Sequence, residues 1–170
     1  MEHEDPARRK RMVSTVGQAL TAAQAGDDGA AINLLTTFVD SEPSGDVNGK
    51  ELVLMLFGEC SRMVTTLGAG GITPVKMQVY DASGDEVSID DADPPVRTAV
   101  RTLLAEVHGD REAARTQIDI ALASAAPPEV AAVVLQALRW TIRLATECSS
   151  RDLPVAGWIS SALDHPSGPR

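Results

Sequence analysis

The sequence has few of the residues on which secretion, membrane insertion and disulfide formation depend. Only two cysteines occur in 170 residues, and unbroken apolar stretches such as Leu52 to Phe57 are far shorter than the roughly 20 residues that span a bilayer. No hydrophobic core of a signal peptide precedes the first amphipathic segment. We therefore expect a cytoplasmic protein that does not enter the membrane and whose cysteines stay reduced.

Basic residues are also scarce. Fifteen Lys and Arg face 24 Asp and Glu, which gives a formal net charge of -9. Such a field repels phosphate backbones, so nucleic acid is disfavoured as a partner. The exception is the basic run Arg8 to Arg11. It is typical of a solvated first turn of a helix, and the alternative is a flexible arm that touches phosphate, as in a nucleic-acid-associated protein.

Residues suited to catalysis or ion binding are sparse and form no complete motif. Cys60, Cys148 and three histidines are the candidates for a nucleophile or a base. Both cysteines lie in helix-patterned segments and are predicted to be small buried side chains, while His108 is predicted to sit at a helix end. Neither a phosphate loop nor a calcium loop is complete. We predict no catalytic residue, no cofactor and no metal ion.

What the chain does have is a repeated segment. Gly26-Asp27 follows one amphipathic stretch, and Gly109-Asp110 follows another in the second half of the chain. Glycine readily takes the left-handed conformation just past a helix end, and an Asp side chain can cap the helix that comes next. Each pair therefore predicts a tight turn between two antiparallel helices.

The apolar spacing around these turns predicts a mostly α-helical fold with an internal duplication. We expect a single domain, 1–170, built from a three-helix unit (7–67), a β-hairpin insert (68–92), a second three-helix unit (93–148) and a short terminal helix (152–163). The third helix of each unit is apolar on nearly all sides and is predicted to be central. A loop is predicted over 41–50, where turn-forming residues cluster.

Between the two units the hydrophobic period changes from 3.6 to 2. Val75 and Val79 alternate with polar residues, and Val87 and Ile89 do so further along. Gly84 lies between the two runs and can take a positive φ. The pattern predicts a β-hairpin whose apolar face packs on the helices.

The helices that follow the Gly-Asp pairs resemble the second half of a tetratricopeptide repeat, which favours Gly-Asp at its turn, small or apolar residues at fixed offsets, and then Pro. The matching positions are Ala31, Leu35, Phe38 and Pro43 after Gly26, and Ala114, Ile118, Ala121 and Pro127 after Gly109. The resemblance implies helical-hairpin packing. From periodicity, Leu122 is also predicted to face inward on the fifth helix.

Two charged groups are the candidate binding residues. The acidic strip, 81–93, contains Asp85, Glu86, Asp90, Asp91 and Asp93 and has no basic residue. It suits a solvated turn before a helix N-terminus, and it also suits a docking patch for a basic partner. Arg139 and Arg143 lie four residues apart on the sixth helix and form either an ion-paired surface or a partner site.

These observations favour a non-catalytic protein-protein interaction module, a small adaptor, accessory or regulatory protein whose partner is another protein. The acidic strip makes a basic partner one option. Stacked helical hairpins leave grooves that accept a helix or an extended peptide. Self-association is a further option. The alternative from another class is an enzyme or small-ligand-binding protein with a site between the two units, using Cys60, His108, Arg139 and Arg143.

Overall fold

A computed structural model describes residues 6–41, 45–68, 79–80, 83–124 and 127–164, and these residues are mostly α-helical. They form seven α-helices, one antiparallel strand pair and one 3-10 turn. The helices are α1 (Pro6–Gln24), α2 (Asp28–Ser41), α3 (Gly45–Leu67), α4 (Pro94–Val107), α5 (Arg111–Ser124), α6 (Pro127–Ser150) and α7 (Gly157–Asp164). The strands are β1 (Val79–Tyr80) and β2 (Glu86–Val87), and the 3-10 turn is Ile89–Asp91.

Both predicted Gly-Asp turns are confirmed, with the same hydrogen bonds in each. Gly26 and Gly109 have φ of +87° and +78°. The amide of Asp27 bonds the carbonyl of Ala22 at 2.9 Å, and Asp110 bonds Ala105 at the same distance, as in a Schellman helix end. The Oδ1 atoms of Asp27 and Asp110 each accept a bond from the amide three residues on, both at 3.0 Å. The two aspartates thereby cap α2 and α5.

The core is centred on α3 and α6, as predicted from their continuous apolar character. The ring of Phe57 on α3 meets Trp140 on α6 edge to face, with centroids 6.2 Å apart and planes at 68°. Leu56, Phe57 and Leu138 are fully buried between these helices. Aromatic contacts of this geometry add about 0.5–1.5 kcal/mol to the burial itself.

The central helices α3 and α6 pack on helices of both halves of the chain. α3 packs on α6 and more extensively on α4 than on α2, while α6 packs on α4 and also on α1. Ion pairs follow the same crossing: Lys50 on α3 lies 2.6 Å from Asp119 on α5, and Arg139 on α6 lies 2.6 Å from Asp28 on α2. The two halves therefore interlock.

The second strand packs on α4 through Val87. Val79 pairs with Val87 and Tyr80 with Glu86, and Gly84 has a φ of +84°. Val87 and Ile89 cover Val100. Ile89, predicted to extend the second strand, instead begins the 3-10 turn.

The side chains of Ser88 and Asp91 explain this difference. Ser88 Oγ donates to Asp91 Oδ2 at 2.9 Å across the turn, and the amide of Asp91 bonds the carbonyl of Ser88 at 3.0 Å. Short polar side chains of this kind favour turns over a sheet ladder.

Two helix starts differ from prediction. α3 begins at Gly45, inside the predicted loop, and Gly49 lies close to α2: the methyl groups of Val39 are 3.9 Å from the position that a Cβ atom would take there. α7 begins at Gly157 rather than 152, since Asp152, with φ of 57°, completes the end of α6 and Pro154 disfavours helix at Leu153.

α7 packs across α1. Ile159 is fully buried, Thr21 Oγ1 donates to the carbonyl of Ala162 at 2.8 Å, and the Cβ position of Gly17 lies 3.8 Å from the Cβ of Ala162. No helix among the described residues is long and apolar enough to span a bilayer. The predicted strand residue Val75 and the repeat position Pro43 lie outside the described residues.

Candidate functional site

The described surface contains an apolar cleft at one end of the bundle, where α4 and α6 begin and α5 ends. Its volume is about 200 Å³, and Val53 of α3 forms its floor together with Ile118. We call it the α4–α6 cleft. Its lining residues are Val53, Pro94, Pro95, Arg97, Thr98, Arg101, Gln117, Ile118, Ile120, Ala121, Leu122, Glu129, Val130 and Val133.

The rim of this cleft carries the large apolar side chains that are exposed among the described residues. Ile120 is 59% exposed and Leu122 is 36% exposed. The prediction that Leu122 faces inward was therefore wrong. Helical periodicity places Leu122 near the face of Ala114 and Ile118, both buried, but at this end of α5 the neighbouring helices leave the cleft uncovered. Exposed apolar residues beside a concave surface are typical of binding sites.

Two guanidinium groups from α4 also line the cleft. Arg97 Nη1 donates to the carbonyl oxygen of Asp90 at 3.2 Å, and Arg101 Nη2 forms an ion pair with the Asp90 carboxylate. The Asp90 side chain is 81% exposed and that of Arg101 is 44% exposed. The 3-10 turn thus brings one residue of the acidic strip to the edge of the cleft, where it neutralises part of a basic rim.

The other predicted residues of the acidic strip lie on the surface outside the cleft. Asp85, Glu86, Asp91 and Asp93 are all exposed. Asp91 accepts the bond from Ser88, and Asp93 is the N-cap residue of α4 without a side-chain capping bond. The strip is therefore continuous with the cleft through Asp90, and its remaining carboxylates are accessible to a partner.

Arg139 and Arg143 lie on the exposed part of α6, away from the cleft lining. Arg139 is occupied by Asp28, its ion-pair partner at 2.6 Å, so it ties α6 to the first turn of α2. Since both side chains of this pair are partly exposed, its contribution to stability is below about 1 kcal/mol.

The four residues of the enzyme or small-ligand alternative do not line this cleft. Cys60 is fully buried between α3 and α6, with its sulfur 3.2 Å from Thr141 Oγ1, whereas His108 is exposed at the end of α4. Burial raises the pKa of Cys60 to about 12, the opposite of what a thiolate nucleophile needs. Cys148 is also buried and not in a disulfide, as predicted for both cysteines.

The basic run at the N-terminus belongs to α1, and one of its members is used internally. Arg8 lies 2.8 Å from Glu51 on α3 and is only partly exposed. Within the described part of the chain, no three His, Cys, Asp or Glu side chains are placed to hold a metal ion together.

The sequence did not predict the cleft or the exposure of Ile120, because helical periodicity describes one helix at a time and not how helices end against each other. The signal that could have pointed to it is the apolar density of 118–122, where Ile118, Ile120 and Leu122 cannot all face one side of a helix. Comparison with protein-family models, curated proteins and solved structures finds no match, so the tetratricopeptide resemblance stays a prediction.

Proposed function

We propose that this protein is a non-catalytic protein-interaction module, an adaptor, accessory or regulatory protein of the cytoplasm, and that the α4–α6 cleft is its main docking surface. The observation that carries the proposal is the exposure of Ile120 and Leu122 at the rim of an apolar depression. Burying a fully exposed side chain of this kind is worth about 1.5–3 kcal/mol, and Ile120 and Leu122 are 59% and 36% exposed. Covering both therefore gains about as much as burying one such side chain, which anchors a partner whose remaining affinity comes from the rest of its interface.

The size of the cleft favours a protein partner over a small ligand. Sites for small organic ligands have volumes of about 300–1,000 Å³ and enclose most of the ligand. At about 200 Å³, the cleft holds one or two side chains projecting from a larger molecule. Apolar anchors projecting from a helix or an extended segment bind in this way.

The acidic strip and the α6 arginines are proposed as secondary surfaces. Asp85, Glu86, Asp91 and Asp93 are exposed beside the cleft and would attract a basic region of the same partner. Asp90 belongs to the strip but is paired with Arg101 in the free protein. Arg143 is exposed on the same helix as Arg139, which is already paired with Asp28.

We also infer that the two halves of the chain derive from a duplicated three-helix unit with helical-hairpin packing of the tetratricopeptide kind. The identical hydrogen bonds of the Gly26 and Gly109 turns support this origin. So does the mutual packing of α3 and α6, the third helix of each half. The cleft is formed mainly by the second half, so the docking function would have arisen after duplication.

The test is affinity purification of the full chain from its native host at native abundance, with mass spectrometry of the co-eluting proteins. We expect a protein that is recovered with the wild type and lost with Ile120→Asp. Because Ile120 is 59% exposed, this substitution should leave the circular dichroism spectrum and the melting temperature nearly unchanged.

The matched control is Thr116→Asp, which adds the same charge on an exposed position of α5 outside the cleft. It should retain the partner. Recovery of the chain alone would contradict the proposal. So would recovery of the same proteins with the wild type, Ile120→Asp and Thr116→Asp. Changing Asp85, Glu86, Asp91 and Asp93 to the amides then shows whether the acidic strip contributes.

A further inference from the structure

We propose that the segment bound in the α4–α6 cleft is an acidic amphipathic peptide of a partner protein, whose carboxylate replaces Asp90 on Arg101 while its apolar side chain enters the cleft. This inference rests on the proposed docking function of the cleft and specifies the chemistry of its partner. It assigns to Arg97 and Arg101 the recognition of a carboxylate.

The charge arrangement around the cleft carries the argument. The lining combines Ile120 and Leu122 of α5 with the basic residues Arg97 and Arg101 of α4 and one acidic residue, Glu129 of α6. A bound segment must therefore present an apolar group and an anionic group a short distance apart. An amphipathic helix with Asp or Glu one turn away from a Leu, Ile or Phe has that arrangement.

The free protein already shows which anion Arg101 accepts. The Asp90 carboxylate forms an ion pair with the Arg101 guanidinium, and the Asp90 carbonyl oxygen accepts a bond from Arg97 at 3.2 Å. The Asp90 carboxylate thus occupies the place on Arg101 in which a ligand carboxylate would lie, while Arg97 holds the backbone of Asp90. Phosphate is a poorer candidate, because it has no apolar group to cover Ile120 and Leu122.

Displacement of Asp90 is energetically accessible. The Asp90 side chain is 81% exposed, and an ion pair that open to solvent changes an equilibrium constant by at most about fivefold. A ligand that buries one apolar side chain against Ile120 gains more than this and also forms a replacement ion pair. Asp90 therefore acts as a weak internal competitor that selects against acidic ligands lacking an apolar anchor.

An acidic partner and a basic partner predict opposite effects on binding when the charge of Asp90 is removed. If a basic segment binds at the acidic strip, removing the charge of Asp90 weakens binding. If an acidic segment binds in the cleft, removing that charge frees Arg101 and strengthens binding. The sign of the Asp90→Asn effect therefore separates the two chemistries.

The experiment uses a displayed library of random linear peptides, selected on the immobilised full chain in the presence of excess soluble Ile120→Asp variant. We expect enriched peptides with a large apolar residue and an Asp or Glu within one helical turn. For the best synthetic peptide, Arg101→Gln should weaken binding roughly fivefold and Asp90→Asn should strengthen it by about twofold to fivefold, the range for exposed ion pairs.

Two variants control for net charge. Asp91→Asn removes the same charge next to Asp90, and Arg151→Gln removes an arginine outside the cleft, so both should change the affinity less than twofold. Changing the acidic residue of the peptide to its amide should abolish the effect of Arg101→Gln, which identifies the pair directly.

The outcomes are distinguishable. Cleft-dependent peptides that are basic or uncharged, or acidic peptides indifferent to Arg101→Gln, would overturn this inference and leave the docking function standing. Failure to select any peptide sensitive to Ile120→Asp would overturn both. Binding of hexanoate to the wild type but not to Ile120→Asp, with no peptide selected, would show a small-ligand site and also overturn both.

Discussion

At the scale of single residues, the Cys60 thiol is a titratable group that the fold removes from water. It is fully buried, and burial raises its pKa to about 12, against about 8.5 for a free thiol in an unfolded chain. A group protonated in the folded state and ionised in the unfolded state makes stability fall as pH rises through the interval between the two values. Cys60 therefore opposes folding at alkaline pH and has no such effect below pH 8.

We predict that the wild type loses about 2 kcal/mol more stability between pH 8 and pH 10 than Cys60→Ser does. Serine keeps a hydroxyl within reach of Thr141 and does not titrate in this range, while Cys148 and all other groups titrate equally in both proteins. Urea unfolding of the two proteins at several pH values measures the difference. Parallel pH profiles would show that the thiol is hydrated in the folded state.

The burial of single side chains was predicted correctly at some positions and wrongly at others. Cys60 and Cys148 were correctly predicted to be buried because their helices are apolar around them. Leu122 was wrongly placed inward, although its own helix begins after the capping Asp110 as predicted. Whether a side chain at the edge of an apolar face is covered depends on where the neighbouring helices end, and that information is not local.

At the scale of elements, glycine suits the positive φ of a helix end but destabilises the interior of a helix. Gly109 ends α4 with a φ of +78°, where an alanine is strained, whereas Gly58 lies inside α3 with open space around its Cβ position. We predict that Gly109→Ala destabilises the protein by about 1–2 kcal/mol and that Gly58→Ala stabilises it by about 0.5–1 kcal/mol.

Thermal unfolding checks this prediction, since 1 kcal/mol corresponds to about 2–4 °C in a protein of this size. Gly26→Ala serves as the second turn variant and should behave like Gly109→Ala, because the two turns share their hydrogen bonds. A stabilising Gly109→Ala would contradict the left-handed conformation on which both predicted turns depend.

These turns also mark how far elements can be predicted. Both Gly-Asp turns and the positive φ of Gly84 follow from neighbours in sequence, and they were predicted. The start of α3 at Gly45 was not, because turn-forming residues locally favour a loop there, whereas the helix packs on α2, α4 and α6. Local signals fix ends that local bonds stabilise, and tertiary contacts decide the others.

At the scale of the whole molecule, the central helices join the two halves in a way that no periodicity reveals. α3 presents Leu52, Leu56 and Phe57 to a core shared with α4 and α6, and α1 packs on α6 and α7. The apolar faces were predicted, but not their partners, because several pairings of such faces bury similar areas. The α4–α6 cleft is a consequence of this pairing, since Val53 of the first half forms its floor.

The interlocking predicts that neither half folds alone. If the chain is divided at Gly71, the first fragment exposes Leu52, Leu56 and Phe57, at a cost of about 1.5–3 kcal/mol each, while whole domains are stable by only about 5–15 kcal/mol. Each fragment alone should therefore show little helical circular dichroism and no cooperative melting. An equimolar mixture should recover the helical signal and a single transition, because α3 can again pack on α4 and α6. Two fragments that each melt cooperatively, with no gain on mixing, would show instead that the three-helix units are autonomous.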